Sequence, residues 1–203
     1  MGKKALILYA SARPKGEVSV FVNLFKENFK GEIQTQNLFE TLSPNSKIYP
    51  CLDCGMCSRK SGCAINDGFQ NIIGNDADII VLAAPIYMSN LPAPALALIS
   101  RFNYLYNNKK HLNIIHDIKP KTGVLILTGG GGACKPLAGQ TNEDLPIRQT
   151  KYLFKKLNAD LQEQNIVLSL KTDTLPTKQD EYNKQKIINI AKSLNKTNYA
   201  EKE

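Results

Sequence analysis

The sequence has no tryptophan, two histidines and three methionines among its 203 residues, and aromatic side chains make up 7%. His111 and His116 stand five apart in a basic loop, off helical spacing and without a third ligand at hand, so both read as ordinary residues. No run approaches the ~20 consecutive apolar residues that a membrane-spanning helix needs. Met1-Gly2-Lys3-Lys4 passes straight into a strand-like run that is too short and wrongly flanked for a signal peptide. Internal repeats, low-complexity tracts and domain linkers are also missing, so residues 1–203 read as a single domain, expected in the cytoplasm where thiols stay reduced. Acids are outnumbered, giving a net charge of +8, yet the lysines are spread along the chain. The clearest local excess sets Arg101, Lys109, Lys110, Lys119 and Lys121 against Asp117. No basic helix or basic-aromatic motif accompanies it, so nucleic-acid binding is not expected, and an anionic cofactor or an acidic partner accounts better for the charge.

What is present is concentrated. Four of the five cysteines fall within thirteen residues, as Cys51, Cys54, Cys57 and Cys63. Two-residue spacers let successive sulfurs point at one small object, as an iron-sulfur cube requires. A closed zinc site more often uses two separated ligand pairs and is less favoured, disulfides would need an oxidising compartment, and free thiols holding no metal are a third alternative.

Lys4 to Tyr9 is a short apolar run without helical period, as in a strand buried on both faces. The polar turn from Ser11 to Gly16 follows, and then Val18, Phe21, Val22, Phe25 and Phe29 mark one face of a helix. Such a turn and helix N-terminus offer free N–H groups and a positive dipole end, to which Arg13, Ser11 and Ser19 add a cation and hydroxyls for a phosphate. A second strand is expected over Gly31 to Asn37, then the cysteine loop, then a short helix capped by Asn66 or Asp67. Asp78 to Ala84 belongs at the sheet centre, and Pro85 to Asn90 leaves its carboxyl end, where open α/β sheets bind ligands. Pro92 opens a helix running to about Tyr106, a weak extra element covers Leu112 to Ile118, and Gly123 to Leu127 is the fourth strand. Thr128 and the glycines Gly129 to Gly132 imply a sharp turn or the close approach of a flat ligand. A helix from Leu145 to Gln162, a fifth strand from Asn165 to Leu170, a helix capped by Asp180 and a frayed polar tail from Asn195 complete the chain. Strands alternating with helices give an α/β doubly wound parallel sheet with helices on both faces.

The phosphate-type turn, the loop at Pro85 to Ser89, the glycine loop and the cysteine loop together resemble flavodoxin-fold flavoproteins of the NADPH-dependent FMN reductase type, and more narrowly the iron-sulfur flavoproteins. The resemblance implies a flavodoxin-like five-stranded parallel sheet of order 2-1-3-4-5. It implies FMN held by Ser11, Arg13, Gly16, Val18 and Ser19 at the phosphate, by Pro85, Ile86, Tyr87, Met88 and Ser89 at the ring and ribityl chain, and by Thr128, Gly129, Gly130 and Gly131 at the pyrimidine edge. Cys51, Cys54, Cys57 and Cys63 would ligate a 4Fe-4S cluster. Glu17 departs from the family turn by placing a negative charge near the phosphate. Leu96 and Ser100 replace the family's Lys and Asp, leaving Arg101 without its ion pair. No side chain is assigned as catalytic acid or base, because a flavin carries its own redox chemistry. The expected function is a redox flavoprotein passing electrons between FMN and a small-molecule or ferredoxin-type carrier, with NAD(P)H a candidate donor and a homodimer or homotetramer the implied assembly. The alternatives are an NAD(P)H-dependent FMN or quinone reductase without a cluster, and a non-enzymatic flavodoxin-like binding module. Cys134, just beyond the glycines, reads as a small structural residue.

Overall fold

The computed structural model describes residues 2–39, 47–131 and 141–195. Its sheet is parallel throughout, with strands β1 (Lys4–Tyr9), β2 (Glu32–Asn37), β3 (Ile79–Pro85), β4 (Lys121–Thr128), β5 (Ala159–Asp160) and β6 (Ile166–Ser169). The order is β2-β1-β3-β4-β5, with β6, the strand expected from Asn165 to Leu170, also against β4, which agrees with the order the resemblance implies. β1, β3 and β4 are almost continuously apolar because helices cover both of their faces, whereas β2, with the sequence EIQTQN, is polar enough only for an edge.

Side-chain alternation divides the core in two. Leu6, Leu8, Ile80, Leu82, Leu125 and Leu127 pack against α2 (Phe69–Ile73), α3 (Ala93–Arg101), α4 (Asn103–Leu112) and α5 (Asp144–Lys156). On the other face Ile7, Val81 and Ile126 meet Phe21 and Phe25 of α1 (Glu17–Asn28) and Ile187 of α6 (Glu181–Leu194). Each large side chain so buried contributes about 1.5–3 kcal/mol relative to exposure, so both layers hold the strands in register.

Several expected boundaries are corrected. The helix expected from Pro92 to Tyr106 is two helices, because the chain tightens at Phe102, whose N–H reaches back only to the Ile99 carbonyl at 3.2 Å. The second helix continues to Leu112 and ends at left-handed Asn113, so no regular element occupies the stretch to Ile118. α5 stops at Lys156 rather than Gln162, since Asn158 turns left-handed (φ 53) and delivers Ala159 to the sheet. The fifth position is therefore shared, with β5 beside the start of β4 and β6 beside its end. Asp180 caps α6 as expected, accepting from the Asn183 N–H. Asn195 is tied to the end of α1, accepting from the Lys30 N–H and donating to the Asn28 carbonyl; the rest of the tail, Gly132 and Cys134 lie outside the described residues.

The local basic excess does not make a stripe. Arg101 and Lys121 are buried and Lys119 pairs with Asp78. Among the described residues no helix is long and apolar enough to cross a membrane.

Candidate functional site

Parallel register fixes where the loops emerge. Tyr9 aligns with Ala83, and Pro85 with Thr128, so the chain leaves β1, β3 and β4 at the same carboxyl rim. Ala10 N–H donates to the Ala83 carbonyl at 2.8 Å and Ile86 N–H to the Thr128 carbonyl at 2.7 Å, which extends the pairing into the loops themselves. Arg13, Tyr87 and Gly130 therefore sit on loops of one rim.

The turn after β1 is pinned from inside. The Tyr9 hydroxyl donates to the Arg13 carbonyl at 2.8 Å, and the Arg13 and Gly16 N–H groups are held by Ser11 Oγ and the Arg13 carbonyl. Burial raises the Tyr9 phenol above its usual range, against the opposing hydrogen bond from Ser11, and nearby Tyr87 adds to the rise, so Tyr9 keeps its proton as a donor. Arg13 is exposed, and among the described residues no carboxylate pairs with its guanidinium. Val18 is buried in the core and presents only backbone to the rim, while the Ser19 hydroxyl donates to the Gly16 carbonyl at 2.6 Å. Glu17 differs from expectation. Its carboxylate accepts from the Thr177 N–H at 2.6 Å and the Thr177 hydroxyl at 2.7 Å, so its charge is engaged with the loop after β6.

After β3, Tyr87 and Asn90 exchange backbone hydrogen bonds around Met88 (φ 49) and Ser89 (φ 59), both left-handed, as in a tight type I′ turn. Left-handed non-glycine residues cost of order 1–3 kcal/mol each and persist only where surroundings enforce them. Here the Ser89 hydroxyl donates to Asn142 Oδ1 at 2.6 Å, and Gln149 of α5 holds both Asn90 and Leu91. The turn presents Met88, 93% exposed, and Tyr87, 48% exposed, as an apolar wall. In the glycine loop, Gly129 spends its N–H on the Ser169 carbonyl and its carbonyl on the Thr172 N–H, and Thr128 is buried. A Cβ on Gly130 would meet the Asp173 carboxylate, which lies beside the glycine loop and would have to shift. Gly131 lies nearest Asn142.

The cysteine loop lies against α3 and α4. Cys51, Cys54, Cys57 and Cys63 line one cavity of about 20 Å³, together with Arg101, Tyr104 and Asn107. Arg101 is 1% exposed, and Nη1 meets Asp67 Oδ2 at 2.6 Å in an ion pair whose side chains are both fully buried. The expected loss of an ion pair is thus corrected, because Asp67 takes the place of the replaced acid. Asp67 also accepts from the Tyr49 and Phe69 N–H groups, so the residue expected to cap α2 ties three segments together. Arg101 Nη2 donates to Cys63 Sγ at 3.3 Å and Asn107 Nδ2 to Cys57 Sγ at 3.2 Å. Arg101 Nε is buried with no hydrogen-bond partner among the described residues.

His116 is not ordinary. Nε2 lies 2.9 Å from Asn108 Oδ1 and Nδ1 lies 2.9 Å from the Tyr104 hydroxyl. Asn108 Nδ2 donates to the Cys57 carbonyl, so its Oδ1 can only accept; Nε2 carries the imidazole proton and Tyr104 donates to Nδ1. Burial lowers the His116 pKa below 6.5. A depressed folded pKa means that the unfolded chain binds the proton first, so this stability is complete above about 6.5 and is lost as pH falls toward the folded value. Chemical denaturation at pH 7.5 and 5.5 is expected to give a larger acid loss for wild type than for His116→Gln, and equal losses would contradict the assignment.

Against known proteins, the model of the NADPH-dependent FMN reductase family matches residues 3–142. The chain belongs to that family. A similar curated protein is the iron-sulfur flavoprotein of Methanosarcina thermophila, 34% identical over 104 residues, which is 49% of this chain and 51% of that protein. The match thus spans about half the length of the relative. Among solved structures, an FMN-dependent NADH-azoreductase from Bacillus anthracis in complex with FMN has a TM-score of 0.63 at 16% identity, covering 96% of this family member and all of that chain. The NAD(P)H:quinone oxidoreductase of Methanothermobacter marburgensis has a TM-score of 0.58 at 14% identity, over 98% of this chain and 100% of that one. These likenesses establish the flavodoxin-like fold.

For this family member the rim fits the flavin, and the cysteine loop supplies the ligand type of a cluster without the room for one. The rim offers an exposed arginine, the first-turn amides of α1 and an apolar wall, and the four cysteines and Arg101 line one small cavity. The four cysteines are free thiols, and among the described residues no three His, Cys, Asp or Glu side chains are grouped as a single metal ion requires. A tetrahedral zinc site would need sulfurs about 3.8 Å apart, given zinc-sulfur bonds of ~2.3 Å.

Proposed function

We propose that the protein is an FMN-dependent oxidoreductase whose cysteine loop holds a 4Fe-4S cluster, exchanging electrons with NAD(P)H or a ferredoxin-type carrier. The observation that carries this reading is the emergence of the β1, β3 and β4 loops from one rim of a parallel sheet, with Arg13 and Tyr87 exposed there. When bound, FMN accepts a hydride or single electrons and the cluster passes electrons singly. Arg13 and the first-turn amides of α1 hold the phosphate, with Ser11, Gly16 and Ser19 keeping that turn in shape. Tyr87, Ile86 and Met88 exclude water from one side of the ring, and Thr128 to Gly131 border its pyrimidine edge. Tyr9 retains its proton and braces the turn, so no side chain need act as acid or base.

Cys51, Cys54, Cys57 and Cys63 are the proposed ligands, in a reducing, cytoplasmic compartment and a homo-oligomer. A cavity of about 20 Å³ has room for little more than one water, and Cys54 is exposed. That size favours a second reading, in which the chain reduces FMN or quinones with the cysteines free. Protein purified without oxygen decides between them. A broad visible shoulder with iron and acid-labile sulfide is expected, and a spectrum of flavin bands alone, without iron, selects the second reading.

A further inference from the structure

The rim of the sheet opposite the flavin loops carries a cavity of about 410 Å³, within the size range of small-molecule sites. It lies where the last turns of α5 meet the starts of β4 and β5, with Phe154, Ala159, Leu161 and Pro120 as apolar lining. Lys121, Lys151 and Lys155 line it against one acid, Asp160, whose carboxylate accepts from Gln162 Nε2 at 3.1 Å. The walls are fixed to one another. Asn158, in its left-handed turn, accepts from the Lys121 N–H at 2.8 Å and donates through Nδ2 to the Ile118 carbonyl at 2.6 Å, which holds the end of α5 against the approach to β4.

Lys121 decides what the cavity can take. The residue is 6% exposed, its Nζ donates to the Lys119 carbonyl at 3.0 Å, and among the described residues no carboxylate pairs with it. An ammonium has three donors, so two of them meet no acceptor among the described residues. Burial lowers the Lys121 pKa and Lys119 adds to the fall, which Asp78 and Asp76 only partly oppose. A buried cation without a counter-charge is costly, and the other buried cation of this chain, Arg101, has Asp67.

We propose that this cavity binds a small organic anion, with its charged group at Lys121, Lys151 and Lys155 and its apolar body against Phe154. Apolar lining beside a cluster of cations favours an acid with a hydrocarbon portion over a bare inorganic ion. β4 runs eight residues from Lys121 to Thr128. At about 3.3 Å per residue the cavity lies ~23 Å from the flavin loops, so the proposal stands apart from the FMN and cluster readings.

The test is calorimetric titration at neutral pH with naphthalene-2-sulfonate and with its uncharged isostere naphthalene-2-sulfonamide. It is run on wild type, Lys121→Met, the double variant Lys151→Met with Lys155→Met, and Arg13→Ala. Wild type is expected to take up one sulfonate per chain and to bind the sulfonamide at least about 10-fold more weakly. Lys121→Met keeps the length of the side chain and should lose about 10- to 100-fold in sulfonate affinity, as removal of a charge-assisted hydrogen bond implies, with the sulfonamide unaffected. The double variant changes only exposed lysines and should also bind the sulfonate more weakly, which keeps the proposal open to refutation if Lys121→Met fails to fold. Arg13→Ala should bind both probes as wild type does. Absence of saturable binding, equal affinity for the two probes, or wild-type sulfonate affinity in a folded lysine variant overturns the proposal. Weakened binding in Arg13→Ala does so too, since it would put the probe at the flavin rim.

Discussion

Replacing Asp67 with alanine is expected to lower the unfolding free energy by about 3–5 kcal/mol, because it leaves the Arg101 guanidinium buried and uncompensated. The Tyr49 and Phe69 N–H groups lose their acceptor in the same step, and the start of α2 loses the link that joins it to α3. For a chain of this size each kcal/mol corresponds to roughly 2–4 °C, so the midpoint should fall by ~6–20 °C. The double variant Asp67→Leu with Arg101→Met removes both charges and should recover part of the loss, since the cost lies in stranding one buried ion. Calorimetry or denaturant titration measures both. A single variant within about 1 kcal/mol of wild type would mean that the pair is solvated rather than buried.

Cys54→Ser is expected to strip iron and sulfide from anaerobically purified protein while leaving FMN bound. Cys54 is exposed, so the exchange of sulfur for oxygen should change stability by no more than about 0.5 kcal/mol, and loss of metal cannot then be ascribed to unfolding. The residues that line the cysteine cavity are distinct from those of the β1, β3 and β4 loops, so the two groups should be lost independently. Iron, sulfide and flavin counted per chain, with circular dichroism as the control for folding, give the answer. Iron retained at the wild-type level would refute Cys54 as a ligand.

The strands were legible because burial on both faces leaves a plain mark. Lys4 to Tyr9 and the run ending at Ala84 could hardly be other than central strands, and the strand order followed from the resemblance. Helix ends were harder to place, since the stop at Phe102 and the left-handed turn at Asn158 depend on tertiary contacts and carry no glycine or proline to announce them. The residues on the rim could be named because they follow strand ends in a fixed pattern. Their supports could not. Gln149 braces the turn after β3 from α5, Asp67 reaches Arg101 across thirty-four positions, and His116 meets Asn108 across eight. One signal was available for Asp67, since a lone arginine on the apolar face of a helix calls for a buried acid elsewhere in the chain. Glu17 looked like a flaw in the phosphate turn only because Thr177, its partner, is 160 residues away in sequence.

The central claim is that one rim of the sheet holds FMN by its phosphate and its ring. Fluorescence-quenching titration of the flavin tests it most directly, run with FMN and with riboflavin on wild type and on Arg13→Ala. Saturation at one FMN per chain is expected, with riboflavin bound far more weakly. Arg13→Ala should lose about 10- to 100-fold in FMN affinity, as a charge-assisted hydrogen bond of ~1.5–3 kcal/mol implies, and little for riboflavin. Absence of quenching, or equal affinity for the two flavins in wild type, would contradict the claim.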